Sequence, residues 1–158
     1  MFPYAPQINT KAEELKELGN AAFKDHQYRQ AVTHYSSALS YDPQNHVLYS
    51  NRSAAYLKLS KFDNAHKDAD KCIQLKPDWA KGYYRKAQVL LLTDMPQVAY
   101  KYLVVALSYC GNEVERKSIT QDLKQSIHNS YSSLLSELPS KFLSKLVEYV
   151  DLMKQKLE

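Results

Sequence analysis

The sequence predicts an all-α fold in which a helical hairpin is repeated three times and then closed by a capping helix and a further C-terminal helix. Three observations carry this. Small residues recur every 34 positions, at Ala31, Ala65 and Ala99, at Ala38, Cys72 and Ala106, and at Gly19, Ser53 and Ala87; a fixed period of that size marks the repetition of one supersecondary unit. Pro43, Pro77 and Gly111 keep the same period as chain breakers, and Tyr28, Phe62 and Pro96 keep it at the residue expected to open each second helix. Three Gly and six Pro in 158 residues are too few for the turns of a β-rich chain, while 44% hydrophobic and 24% charged residues suffice for a buried core under a solvated surface.

Within each hairpin the apolar positions follow a helical period. Leu15, Leu18 and Ala22 fall at i, i+3 and i+7, as do Val32, Tyr35 and Leu39. Thr10-Lys11-Ala12-Glu13 reads as a capping box, so the first helix is expected over 11–25, after an N-terminal extension at 1–10. The other hairpin helices are expected near 28–41, 45–58, 62–75, 79–92 and 96–110, which divides the array into repeats at 11–44, 45–78 and 79–111. Stacking such hairpins buries one continuous core. Beyond Gly111 the period stops, and 112–158 reads as capping and extra helices. Val114, Ile119, Leu123 and Ile127 form the stripe of a cap over the last hairpin. A final helix opens near Leu138-Pro139 and carries Phe142, Leu146, Tyr149 and Met153 on one face, widened by Leu143, Val147, Val150 and Leu157. A face that broad needs cover, from the cap or the repeats, from self-association, or from a second protein partner through 138–158.

Composition removes several function classes. No segment approaches the roughly 18 consecutive apolar residues of a membrane span, and the N-terminus lacks the basic and apolar regions of a secretory signal. Cys72 and Cys110 offer neither a disulfide framework nor a Cys-x-x-Cys motif, so a reducing compartment is expected, cytoplasmic with the nucleus as the alternative. His26, His34, His46, His66 and His128 show no metal-ligand spacing, no glycine-rich phosphate loop is present, and no catalytic constellation emerges, so no cofactor, metal or enzymatic activity is expected. The tyrosines, among them Tyr35, Tyr49, Tyr56 and Tyr83, fall at helix-packing positions rather than forming a base-stacking surface. The net charge of +4 alone fits a nucleic-acid surface, a membrane surface or an acidic protein ligand, and position has to decide.

Position favours the acidic ligand. The first helices of the hairpins carry Lys16 and Asn20, then Asn51, then Lys81 and Arg85; each i, i+4 pair shares one helical face. Three cations and two carboxamides facing one groove, with no acidic partner evident in the sequence, repel one another unless an anion completes the site. A peptide ending in Asp suits them, because its α-carboxylate and side chain place two charges close together. Lys supplies a rotatable point charge, Arg a planar fork, and Asn an uncharged donor that also holds peptide backbone.

The stretches ELKELGNAAFKDHQYRQAVTHYSSALSYDPQN and HVLYSNRSAAYLKLSKFDNAHKDADKCIQLKPDW resemble repeats of the tetratricopeptide-repeat (TPR) family, over residues 11 to about 110. The third repeat departs from the family pattern, with Met95-Pro96-Gln97 at the usual Gly-Asp-Tyr turn and Gly111 at the closing Pro. The resemblance implies a right-handed superhelix whose first helices line the concave face. It further implies a two-carboxylate clamp, with Lys16, Asn20 and Asn51 on the terminal main-chain carboxylate and Lys81 with Arg85 on the Asp side chain and upstream groups. Phe23, Ala54 and Lys58 would line the neighbouring pocket. The implied partner is the Glu-Glu-Val-Asp tail of heat-shock chaperones of the 70 or 90 kDa class, bound by a co-chaperone adaptor. Alternatives under the same resemblance are the chaperone-targeting domain of a larger phosphatase or ubiquitin ligase, and a TPR scaffold for another partner.

Overall fold

A computed structural model describes residues 5–135, with side chains over 10–129. Its described residues form seven helices and no strand: α1 (Ala5–Lys24), α2 (Tyr28–Tyr41), α3 (His46–Lys58), α4 (Phe62–Leu75), α5 (Ala80–Leu92), α6 (Pro96–Ser108) and α7 (Glu113–Leu135). α1 packs on α2, α3 on α4 and α5 on α6, and each second helix also meets the first helix of the next hairpin, ending with α6 on α7. Tyr28, Phe62 and Pro96 do open the second helices. The helix expected near 138–158 lies outside the described residues.

The first helix corrects the sequence reading. α1 runs through Thr10 and begins at Ala5, so Thr10-Lys11-Ala12-Glu13 sits in the helix body and is not a cap.

The small-residue registers do what close helix packing demands. Ala31, Ala65, Ala99, Ala38, Cys72 and Ala106 are all fully buried. One core cluster joins Ala22, Ala31, Tyr35, Ala38, Leu39, Leu48 and Ala55 across the first hairpins. Another joins Ala80, Ala87, Leu90, Ala99, Leu103 and Ala106 to Ile119 and Leu123 of α7, which is how the cap covers the last hairpin. Burial pushes the Cys72 thiol up to about 12, leaving it a small apolar filler at neutral pH. Two residues of the expected stripes fall outside the core: Leu18 is 52% exposed and Val114, at the start of α7, 81% exposed. A three-residue step rotates a helix by less than a full turn, so Leu18 lies off the buried line through Leu15 and Ala22.

Each hairpin turns through a left-handed residue, and these also recur every 34 positions: His26, Ser60 and Asp94, with φ of 60°, 55° and 58°. Around them, Gln27 N–H donates to Ala22 O at 2.8 Å, Lys61 N–H to Tyr56 O at 2.9 Å and Met95 N–H to Leu90 O at 2.8 Å. These are the six-to-one bonds of a Schellman C-cap, built three times on residues other than glycine.

The interior between hairpins is partly ionic. Arg52 donates through Nε and Nη2 to both Asp68 oxygens at 2.8 Å and through Nη1 to Ser36 Oγ at 3.0 Å, tying α3 to α4 and α2. Burial works against the guanidinium charge, but hydrogen bonding and attraction from Asp68 outweigh it, and its pKa rises. Lys86, at the equivalent place one repeat on, pairs with Asp70 and lies over the Tyr102 ring, tying α5 to α4 and α6.

Candidate functional site

The first helices line a common cavity of about 220 Å³, bounded by Glu17, Asn20, Phe23 and Lys24 of α1, Asn51 and Ala54 of α3, Arg85 of α5 and Tyr35 reaching in from α2. Of the residues expected in the groove, Asn20, Asn51, Arg85, Phe23 and Ala54 therefore meet at one place. Lys16 and Lys81 stand one helical turn before Asn20 and Arg85 on the same faces and do not line the cavity, nor does Lys58, which is exposed near the end of α3.

The two sides of the cavity are built differently. On the α1–α3 side, Asn20 Oδ1 accepts from Tyr35 Oη at 2.8 Å and from Asn51 Nδ2 at 3.1 Å, while Asn20 Nδ2 donates to Glu17 Oε1 at 3.1 Å. Tyr35 is 2% exposed. Burial, followed by the nearby Glu17 charge, pushes its hydroxyl up to about 12 against the opposing pull of Arg85, so it stays a donor. The ring reaches this place because residue 19 is glycine: a Cβ there would stand 2.5 Å from Tyr35 Cε1.

On the α5 side the groups are charged. Arg85 donates through Nη1 to Gln88 Oε1 at 2.7 Å and through Nε to Ser50 O at 3.3 Å, with its guanidinium over the Tyr84 ring. Burial lowers its pKa, and among the described residues no carboxylate lies within ion-pair distance of it. Lys81 lies over the Trp79 ring and pairs with Glu115 of α7 at 3.1 Å. α7 is held there by Tyr84 Oη, which donates to Asp122 at 2.9 Å and bonds Ser118, and by Ser126 Oγ, which donates to Pro96 O at 2.8 Å.

The expectation that these cations lack acidic partners is thus corrected. Lys16 pairs with Glu13 and Lys81 with Glu115, and only Arg85 keeps no ion pair among the described residues. Glu13 lies three residues before Lys16, close enough on a helix to reach it, whereas Glu115 arrives from the cap, whose placement no repeat period encodes. The sequence reading also missed Tyr35, Glu17 and Lys24 as cavity residues. Tyr35 had a signal: its register is Tyr35, Ala69 and Leu103, and the lone ring faces the lone glycine of the register Gly19, Ser53 and Ala87.

Fold and groove define a helical-repeat array with a polar cavity shared by its first helices. The tetratricopeptide repeat family model matches residues 12–45. The first TPR of Spaghetti (RPAP3), solved bound to the HSP90 peptide SRMEEVD, is 31% identical, with a TM-score of 0.69 over 76% of this chain and 93% of that one. The TPR2B domain of yeast Sti1, solved as a pHsp70 complex, is 28% identical, with a TM-score of 0.72 over 76% of this chain and 98% of that one. The chain belongs to the tetratricopeptide-repeat family. Among curated relatives, the heat shock protein sti1 homolog of Schizosaccharomyces pombe is 52% identical over 79 residues, which is 50% of this chain and 13% of that protein. The chain therefore spans about one-eighth of the length of that relative.

Proposed function

We propose that this chain is a co-chaperone adaptor that binds the C-terminal Glu-Glu-Val-Asp tail of a 70 or 90 kDa heat-shock chaperone, and that it works without catalysis in the cytoplasm. The observation that carries the reading is the convergence of Asn20, Asn51 and Arg85 on one cavity, with Lys16 and Lys81 one turn away on the same helical faces. The solved relatives described above, bound to chaperone peptides, support it. In this arrangement Asn20, Asn51 and Lys16 hold the terminal carboxylate, and Lys81 with Arg85 holds the Asp side chain. Phe23 and Ala54 flank the apolar residue before it, and Lys58 an upstream group. Charge-assisted hydrogen bonds contribute roughly 1.5–3 kcal/mol each, so a few of them support micromolar binding, about −8 kcal/mol, once a flexible tail has been ordered.

A fluorescent peptide ending in Glu-Glu-Val-Asp, titrated beside its C-terminally amidated twin, tests the proposal. The free acid should bind at micromolar concentration and the amide far more weakly; equal binding of the two removes the clamp.

A further inference from the structure

We propose that Tyr35 is a positioning residue that sets which way the two asparagine amides face, and so makes the α1–α3 side of the cavity a donor surface selective for carboxylate. This rests on the function proposed above and deepens it.

A carboxamide presents an acceptor on one edge and two donor hydrogens on the other, and nothing in an asparagine itself chooses which edge faces a ligand. Here the choice is made from below. The Tyr35 hydroxyl, buried and protonated at neutral pH, donates to Asn20 Oδ1 at 2.8 Å. Asn51 Nδ2 donates to the same oxygen at 3.1 Å, so both lone-pair directions of that oxygen are engaged. With its oxygen held on the floor, Asn20 turns its Nδ2 away from Tyr35, one hydrogen on Glu17 and the second left over. Asn51 spends one Nδ2 hydrogen on Asn20 and likewise retains another. A carboxylate entering the cavity meets these N–H groups, with the Glu17 carboxylate beside them at the rim. Reversing either amide would present it with a carbonyl oxygen and break a bond in the chain from Tyr35 to Asn51.

Gly19 is the steric condition for this device, since any side chain there collides with the Tyr35 ring that carries the hydroxyl. Ring and hydroxyl are therefore separable: packing against Gly19 needs only the ring, orientation of the amides needs only the oxygen. Phenylalanine keeps the first and deletes the second.

The test is Tyr35→Phe in the full 158-residue chain, titrated with the free-acid peptide and its amidated twin, with the thermal midpoint followed by circular dichroism. The free-acid affinity should fall about tenfold, the worth of one well-placed charge-assisted bond, while amide affinity and helicity change little. A preserved acid-to-amide ratio in Tyr35→Phe overturns the positioning role while leaving the clamp intact. Failure of the wild type to distinguish acid from amide overturns the clamp itself. Should the variant not fold, the wild type still decides: the side-chain amide protons of Asn20 and Asn51 should resonate apart from solvent-exposed asparagines and exchange slowly. Amide signals that average like free asparagine overturn the relay.

Discussion

The two walls of the cavity solve the same problem with different physics. The α1–α3 wall works through neutral groups at its centre, two carboxamides locked by a buried tyrosine through bonds of 2.8 and 3.1 Å, with Glu17 and Lys24 of α1 bordering them. The α5 wall is ionic: Arg85 lines the cavity over the Tyr84 ring, and one turn outside it Lys81 rests on the Trp79 ring, where α7 brings it a carboxylate. A neutral donor acts only at contact and in one geometry, whereas a cation acts across a Debye length of about 8 Å at physiological salt and tolerates misalignment. Attraction of an acidic tail should therefore belong mainly to α5, helped by Lys16, and recognition of a chain terminus to Asn20 and Asn51.

Variants separate the two. The largest effect is expected from Lys81→Glu, which reverses the charge of the ionic wall and should cost roughly a hundredfold in tail affinity at unchanged helicity, because it turns an attractive pair into a repulsive one. Asn51→Ala should follow, at about tenfold, with its loss confined to the free-acid peptide. Salt sharpens the contrast. Raising ionic strength should weaken the wild type and Asn51→Ala by the same factor, but weaken Lys81→Gln less; parallel slopes for all three would mean that the walls are not distinct. Glu115→Gln should tighten binding about two- to threefold by freeing Lys81 from a half-buried partner, and a weakening there would show that Glu115 orients the lysine. Smallest for binding, and a control on the fold, is Ser60→Gly. Relieving one left-handed non-glycine residue should stabilise the chain by about 1 kcal/mol, read as a raised denaturation midpoint, with tail affinity unmoved.

The same contrast explains what could be read from sequence. Helix positions were legible because Ala31, Ala65 and Ala99 and their companions obey a period that packing enforces, and the second helices begin at Tyr28, Phe62 and Pro96 as that period requires. The i, i+4 pairs Lys16–Asn20 and Lys81–Arg85 were legible as shared faces, since helix geometry alone fixes them. Three things were not. The start of α1 was hidden by a capping motif lying inside a longer helix. The turn register His26, Ser60 and Asp94 escaped notice because the constraint acts on the backbone, and three dissimilar side chains tolerate it. Glu17 and Glu115 escaped because each enters the site from another turn or another helix, and such neighbours come from tertiary packing rather than spacing, while Tyr35 left only the pairing of one ring with one glycine across two registers.

The ionic ties of Arg52 and Lys86 bear on the order in which the array opens. In a linear stack each hairpin leans only on its neighbours, so fraying starts at the ends. Arg52 reaches α2, α3 and α4, and Lys86 reaches α4, α5 and α6, so both sets of ties converge on α4. Leaving Arg52 or Asp68 buried and uncompensated costs about 3–5 kcal/mol, while the Lys86 pair, whose Asp70 is exposed, holds less. Native-state hydrogen exchange should accordingly be slowest in α3 and α4 and quicken toward α1 and α7, which makes the middle hairpin the last part of the molecule to let go and the shared cavity a site whose outer walls breathe first.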